Sequence, residues 1–469
     1  MKKLLSVFLF LVVPLMIAVP GYMGWQTQRY MESMAAYVDG LPGYGASWEN
    51  YKRGWFNSRG VLNVVLKGVK PLAESPDVAL PFNVELSHGP LLLGDTIGLG
   101  WFNLQVSLLD KDEAYLQRVL TVTEDGPIYQ LTARMALQGT TFIKDRWLPF
   151  EYREDDAQLV VGSYSGEGSV GVDRVLIYAF NVPSVNFVGD AASDIVTLEK
   201  VAGDISVNLA KLQSANVAPA TFKFSAGNVM SKKQEGEAVD FLAKGLVVTG
   251  DTWLDDIETL FSTRSSISLK TLLVPSAKVD LSNMVLDLAY TDISLAFIEQ
   301  YQNVVAAAPD DAGPSFWQEH IGLLVLQQLL PSSPSLAVEA FKFDSPQGTF
   351  SAESRLSIDG PALAAGNLNP QNPMAVLPYL IFNLNVNADE AVVKQIALRY
   401  VENQLATQEG NRGLTKKELA ALSHERAEQL LGLIVAQQFI TLENKRYESV
   451  LDYEKGQAVL NGQPMPLPF

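Results

Sequence analysis

Phe82-Asn83-Val84-Glu85-Leu86-Ser87-His88 and Phe102-Asn103-Leu104-Gln105-Val106-Ser107-Leu108 decide the fold class. In both, apolar and polar residues alternate with period two, so an extended chain turns one face to a core and the other to water. Leu62, Val64 and Leu66 repeat the pattern before Gly68 closes the run. It continues outward through Leu131–Leu137, Gln158–Val161, Val175–Phe180, Ile205–Leu209, Thr221–Phe224, Leu246–Val248, Ile267–Leu272 and Met284–Leu288. Gly, Asp, Asn and Ser gather between the runs as turns. Strands that follow one another without intervening helices pair antiparallel. So many strands exceed a comfortable flat sheet, which predicts a curled or elongated one.

After residue 290 the period changes. Ile293 to Ala308 reads as a helix, Pro309–Pro314 breaks it, and Ser315 to Leu330 reads as a second, apolar helix. Strands return at Ala337–Phe343, Thr349–Ile358 and Leu380–Val386. A further helix runs to about Gln404, with Val392, Val393, Ile396 and Tyr400 on one face. Thr415-Lys416-Lys417-Glu418 is a capping box opening a helix whose stripe is Leu419, Leu422, Leu430, Leu433 and Ile434. The chain closes on a hairpin turning at Glu454-Lys455-Gly456. The expected fold is α+β. An N-terminal transmembrane helix precedes a large, predominantly antiparallel, curled or elongated β-sheet, with helices concentrated after residue 290. The expected division is 1–25 as cytoplasmic stub and anchor, 26–50 as juxtamembrane helix and turn, 51–290 as a β-rich region, and 291–469 as an α+β region continuing the sheet.

The anchor is read from Lys2-Lys3 and the uncharged run from Leu4 to Trp25, through Phe8, Leu11, Leu15, Ile17 and Tyr22. At helical rise this run spans about 33 Å, enough for a hydrocarbon core of about 30 Å. Pro20 stands badly for a signal-peptidase cut, and Tyr22 and Trp25 suit an interfacial belt, so an uncleaved anchor is expected. The basic start stays cytoplasmic and the bulk of the chain is exported. In a bacterium with two membranes this means a single-pass inner-membrane protein facing the periplasm.

The chain has 469 residues, 48% hydrophobic and 19% charged, as a globular protein does. Its formal net charge of −17 argues against nucleic acid as a partner. With no cysteine there is no disulfide, thiolate metal site or lipid-modified N-terminal Cys.

Four stretches belong together. They are Tyr51-Lys52-Arg53-Gly54-Trp55-Phe56-Asn57-Ser58, Ser87-His88-Gly89-Pro90, Phe343-Asp344-Ser345-Pro346-Gln347-Gly348, and a closing segment ending Asn461-Gly462. The layout resembles the YdgA-type family of bacterial envelope proteins, a domain of unknown function in Gram-negative bacteria. The resemblance implies an inner-membrane-anchored periplasmic protein and supplies no catalytic residue. Gly54-Trp55-Phe56 before Leu62 and Val64 is also echoed by Gly348-Thr349-Phe350 before Leu356 and Ile358, as two similar hairpins would be.

His88, His320 and His424 lie far apart, and no pair has metal-ligand spacing. His88 is in phase with Phe82, Val84 and Leu86, and is expected at a strand end, donating to a turn carbonyl. His320 is expected in a core or interface, and His424 in solvent. Glu154-Asp155-Asp156, Asp255-Asp256 and Asp310-Asp311 read as solvated turns, lacking the spacing of a calcium loop. No nucleophile elbow, phosphate loop or dinucleotide fingerprint follows a strand. No catalytic residue, metal or cofactor is therefore assigned. Tyr51, Trp55 and Phe56 with Lys52, Arg53 and Arg59 form the densest aromatic-basic cluster. Its aromatics are expected to anchor the first hairpin in the core; the alternative is contact with anionic lipid head groups.

The leading expectation is a non-enzymatic envelope protein that binds or shelters lipid-like ligands in an apolar groove, or scaffolds envelope partners. The alternatives are a self-associating interaction module, working through the apolar helix 315–330, and a hydrolase of envelope polymers. Membrane lipids are the partner of the N-terminal helix.

Overall fold

In the computed structural model the described residues run from 19 to 466, apart from 30, 34, 37, 42, 68–76, 93–97, 109–119, 123–125, 155–156, 190–193, 213–216, 234–238, 309–312, 367–372 and 408–414. The chain forms two compact units, Met1–Ala210 with Ser231–Ala238, and Lys211–Met230 with Val239–Phe469. The division falls at 210, within the β-rich region, and not at 290.

The first unit begins with helix α1, helical at the described positions between 19 and 39. Its buried stripe is Pro20, Gly24, Thr27 and Ala35. The strands follow as β1 (Tyr44–Arg53), β2 (Asn57–Lys67), β3 (Asp77–His88), β4 (Leu91–Leu92), β5 (Gly98–Leu99), β6 (Phe102–Leu108) and β7 (Leu120–Val122). Then come β8 (Tyr129–Met135), β9 (Thr141–Trp147), β10 (Phe150–Glu154), β11 (Ala157–Val161), β12 (Tyr164–Val170), β13 (Val175–Val188) and β14 (Asp194–Asn208). The segment expected as helix and turn over 26–50 thus becomes strand at Tyr44. β4 and β5 form a small ladder of their own. The main sheet pairs β1-β2-β3-β6-β8-β9-β12-β13-β14, all antiparallel. A second run, β7-β10-β11, joins it at the far half of β13.

Register fixes what each face carries. One row across the sheet reads Ser58, Leu86, Leu104, Ala133, Ile143, Gly168, Tyr178, Ile205. The next reads Gly60, Val84, Val106, Leu131, Asp145, Gly166, Phe180, Gly203. On the other face a row reads Arg59, Glu85, Gln105, Thr132, Lys144, Glu167, Ala179, Asp204. The first face is mainly apolar; the other is mainly polar, though Phe142 and Ile177 lie exposed on it. At the β3 end of the apolar face Val84 and Leu86 are buried, and α1 covers that end. From β6 to β14, Leu104, Val106, Leu131, Ile143, Leu176 and Phe180 are only half-buried.

The second unit contains β15 (Ala220–Lys233) up to Met230, then β16 (Val239–Leu254), β17 (Leu260–Val274) and β18 (Val279–Ser294). Helices α2 (Leu295–Ala307) and α3 (Pro314–Leu324), the latter prolonged by a π-turn at Val325–Leu329, precede β19 (Ser335–Ser345) and β20 (Gly348–Ile358). Helix α4 (Gly360–Ala365) leads to β21 (Leu380–Asp389), and helices α5 (Glu390–Thr407) and α6 (Lys416–Ala436) lead to β22 (Thr441–Glu443), β23 (Arg446–Glu454), β24 (Gln457–Leu460) and β25 (Gln463–Met465). The ladder β16-β17-β18-β19-β20-β21-β23-β24-β25 is antiparallel throughout, with β22 beside the start of β23. The capping box is made: Thr415 Oγ1 accepts from Glu418 N at 3.3 Å, and Glu418 Oε2 from Thr415 N at 2.8 Å.

The expected α+β class and antiparallel pairing stand. The expected curl does not: both sheets are open ladders. Twist and bulges, as between Val338 and Phe341, accommodate the strand number without curling. Among the described residues no helix is long and apolar enough to cross a membrane. Leu4, Phe8, Leu11, Leu15 and Ile17 of the expected anchor lie outside the described residues; Tyr22 and Trp25 are exposed on α1. The stripe of the helical pair holds in part: Val392 is buried, and Val393, Leu419, Leu422 and Leu430 pack on the helical core. Ala397, Val401 and Leu405 of α5 lock onto Ala427 and Leu431 of α6, while Ile396, Tyr400 and Leu433 face outward. Small alanines let the helices approach closely, which placed the contact one position away from the bulkier residues.

Candidate functional site

Strand β3 carries His88 onto the apolar face in phase with Val84 and Leu86. Its ring is 0% exposed. Strand β2 brings up Ser58, 3% exposed, whose Oγ lies 2.8 Å from His88 Nε2. This hydroxyl replaces the expected turn carbonyl, because the register sets Ser58 opposite Leu86, one pair from the ring. Helix α1 seals the pair. A Cβ at Gly24 would stand 3.1 Å from Nε2, so the helix backbone lies directly on the ring. Burial first, then the charge of Arg53, holds the imidazole pKa down to about 4. The ring is neutral at pH 7, and its buried Nδ1 has no hydrogen-bond partner.

A serine within reach of a neutral imidazole has the first two parts of a nucleophilic triad. The third is lacking: among the described residues no carboxylate orients Nδ1. The pair is a clamp between the first hairpins and α1.

The other family-like residues divide between the units. Tyr51 packs edge-on against Trp48 at 5.2 Å, with its OH buried and unpartnered. Arg53 donates to Gln28 Oε1 of α1 at 3.4 Å, and Gly54 N donates to Asn57 O in the turn. Gly89 N donates to Trp101 O, and Pro90 O accepts from Gly100 N. Trp55 and Phe56, expected in the core, are 55% and 41% exposed. They sit in the connection between β1 and β2, where Trp55 lies along α1 at Gly21 and is not enclosed in the sheet's core. In the second unit Pro346 and Gly348 form the β19–β20 turn. There Asp389 Oδ2 accepts from Thr349 N at 2.7 Å, and Asp389 pairs with Arg446 at 3.1 Å. The echo holds for the hairpins but not the aromatics, since Phe350 stacks on Phe343 at 5.0 Å. Asn461 and Gly462 turn β24 into β25. Asn461 Oδ1 accepts from Val450 N and its Nδ2 donates to Gln438 O.

His320 is exposed and stacked on Phe316 at 4.2 Å, not in a core. His424 lies 3.7 Å from Glu428 in solvent. Asp255 caps a turn, accepting from Leu260 N and Thr259 N. Asp155, Asp156, Asp310 and Asp311 lie outside the described residues. Among the described residues no group of acidic or imidazole side chains could hold a metal.

One cluster escaped the pattern analysis. Asp145 stands in the middle of the apolar face. Tyr178 donates to its Oδ1 at 2.5 Å, Tyr129 to its Oδ2 at 3.3 Å, and Tyr164 hydrogen-bonds Tyr178. A Cβ at Gly166 would fall on Tyr178 OH and Asp145 Oδ1, so only glycine leaves room for the crossing. Burial first, then Asp145, raises the Tyr129 and Tyr178 phenol pKa values well above the ordinary one. Two glycines in phase, at 166 and 168, mark such a close approach inside a strand. A cavity of about 570 Å³ opens across this part of the sheet, lined by Gln130, Thr132, Lys144, Arg146, Glu167 and Asn181 of the polar face together with Asp145, Gly166 and Phe180.

The model of the family described as "Bacterial protein of unknown function (DUF945)" matches residues 1–468. The chain belongs to this DUF945 family. A similar relative is "Protein YdgA" of Escherichia coli (strain K12), 22% identical over 481 aligned residues that cover 95% of this chain and 91% of the relative. No solved structure matches the chain. As a DUF945 protein it inherits no assigned reaction, so its role has to be argued from its own faces.

Proposed function

We propose that this DUF945 protein is a non-enzymatic, inner-membrane-tethered periplasmic protein, whose first unit shelters the apolar chains of lipid-like molecules. The carrying observation is the apolar face from β6 to β14. Its Leu104, Val106, Leu131, Ile143 and Phe180 stay only partly buried, in rows interrupted by Asp145, Gly166 and Gly168. Apolar surface left partly open in this way is costly in water and serves binding. The uncharged stretch Leu4–Trp25 supports the tether. The test is mass spectrometry of lipid extracted with the full-length chain, alongside Ile143→Asp. Bound lipid in the native chain and its loss in a folded Ile143→Asp chain supports sheltering; an absence of lipid from the native chain overturns it.

A second reading, self-association, draws on Ile396, Tyr400 and Leu433, which lie exposed on α5 and α6. It fits this pair better than the helix expected over 315–330. Light scattering of the full-length chain in detergent across concentration decides it: a constant monomer mass removes the idea.

A further inference from the structure

The apolar rows of β6 to β14 are not the only unexplained apolar surface of the first unit. Trp55 and Phe56 project from the β1–β2 connection, and Tyr22 and Trp25 project from α1, all of them exposed. The two sets are neighbours. A Cβ at Gly21 would stand 2.8 Å from the Trp55 ring, so the indole lies against α1 at its first described turn. In sequence, this turn directly continues the uncharged stretch that begins at Leu4.

The charge around this tip is mainly positive. Lys52 and Arg59 face each other in register across β1 and β2, and Arg53 is adjacent. Like charges directly opposite each other on a sheet are destabilising, and here they occur in a chain of net charge −17. Glu85, in register with Arg59 on β3, offsets one of them. Arg29 lies over the Trp25 ring at 4.4 Å. Indole, phenol and benzyl rings beside exposed cations are the composition that settles at the head-group level of a bilayer.

We infer that the β1–β2 tip, Trp55 and Phe56 flanked by Lys52, Arg53 and Arg59, is a membrane-interface seat for anionic lipid. It fixes the first unit against the bilayer from which α1 emerges. The inference rests on the tether. It adds a second contact, through which the sheet is held at the membrane surface and does not swing on α1 alone. Two weak anchors together hold far better than either does.

The chain has no cysteine, so a single Phe56→Cys can carry an environment-sensitive label on the full-length protein. Phe187→Cys, at an exposed site toward the opposite end of the sheet, is the aqueous control. Both are reconstituted into vesicles of phosphatidylcholine with phosphatidylglycerol, and into phosphatidylcholine alone. The seat predicts that an aqueous quencher reaches position 56 about fivefold less than position 187 on anionic vesicles, and that Arg59→Gln recovers much of the access. If the protein washes off the vesicles, the tether fails. If it stays and position 56 is quenched as readily as position 187, the seat is overturned while the tether stands. Equal shielding in both vesicle types overturns the anionic preference.

Discussion

Ser58 Oγ lies 2.8 Å from His88 Nε2, beneath a helix that meets the ring at Gly24. This contact joins β2, β3 and α1 through one buried imidazole, so three separate stretches of chain report on it.

Ser58→Ala removes the one hydrogen-bond partner that a fully buried ring has among the described residues. A buried polar group left unsatisfied costs about 1–3 kcal/mol. The urea midpoint of the variant should fall accordingly, with an unchanged slope. A midpoint equal to that of the native chain would show that the hydroxyl contributes nothing.

Acid should loosen the same site. The unfolded imidazole takes up a proton near pH 6.5, and folded His88 only at about 4. Between these values the unfolded chain binds more protons, so stability is full above pH 6.5 and falls as pH drops toward 4, by up to about 3 kcal/mol. His88→Phe should abolish this part of the pH dependence. If native and variant curves stay parallel between pH 7 and 5, the ring is not the titrating group.

Gly24→Val places a branched side chain on the ring. Overpacking of this kind costs about 1–3 kcal/mol and is relieved by lifting α1. Hydrogen exchange should rise across residues 19–39, and the His88 resonance should titrate closer to pH 6.5. Unchanged protection in α1 would mean that the helix is held elsewhere.

Asp145→Asn should be felt at alkaline pH. Tyr129 and Tyr178 are held neutral in the folded state, so their contribution is present below about pH 10 and is lost as pH rises above it. Without the carboxylate charge the phenols should ionise at lower pH, as read by phenolate absorbance. An unaltered phenolate titration would show that burial alone sets their pKa.

Asn461→Ala should cost about 1 kcal/mol or more, since it removes three side-chain hydrogen bonds and forces alanine into a left-handed turn at φ 48°. Asn461→Gly should recover part of this by relieving the turn. If Asn461→Gly is no more stable than Asn461→Ala, backbone strain plays no part.

Much of the fold was legible locally. The period of Phe82–His88 and Phe102–Leu108 depends on pleat geometry alone, and each stretch became a strand with the faces that the alternation implies. The Thr415–Glu418 capping box was equally local and is intact. The helical stripes were legible only in part: Val392 is buried, and Val393, Leu419, Leu422 and Leu430 do face the helical core. Ile396 and Tyr400 have the spacing of a buried face, but packing follows the partner helix, and the small Ala397 and Ala427 permit the closer contact.

The site divides the same way. That His88 points with Val84 and Leu86 follows from the two-residue period. That it meets Ser58, thirty residues away, and Gly24 is a matter of register and helix docking. Asp145 lay in an ordinary polar-looking stretch, and only the crossing of Tyr178 over Gly166 shows how a carboxylate is satisfied on an apolar face. By itself the sequence determined the antiparallel β class, the uncharged N-terminal stretch and the exclusion of cysteine chemistry, because each rests on residue type and short-range period. Tertiary structure decided which polar groups are sealed, which face stays open and where the exposed aromatics gather, because these depend on strand register and on what packs from far along the chain.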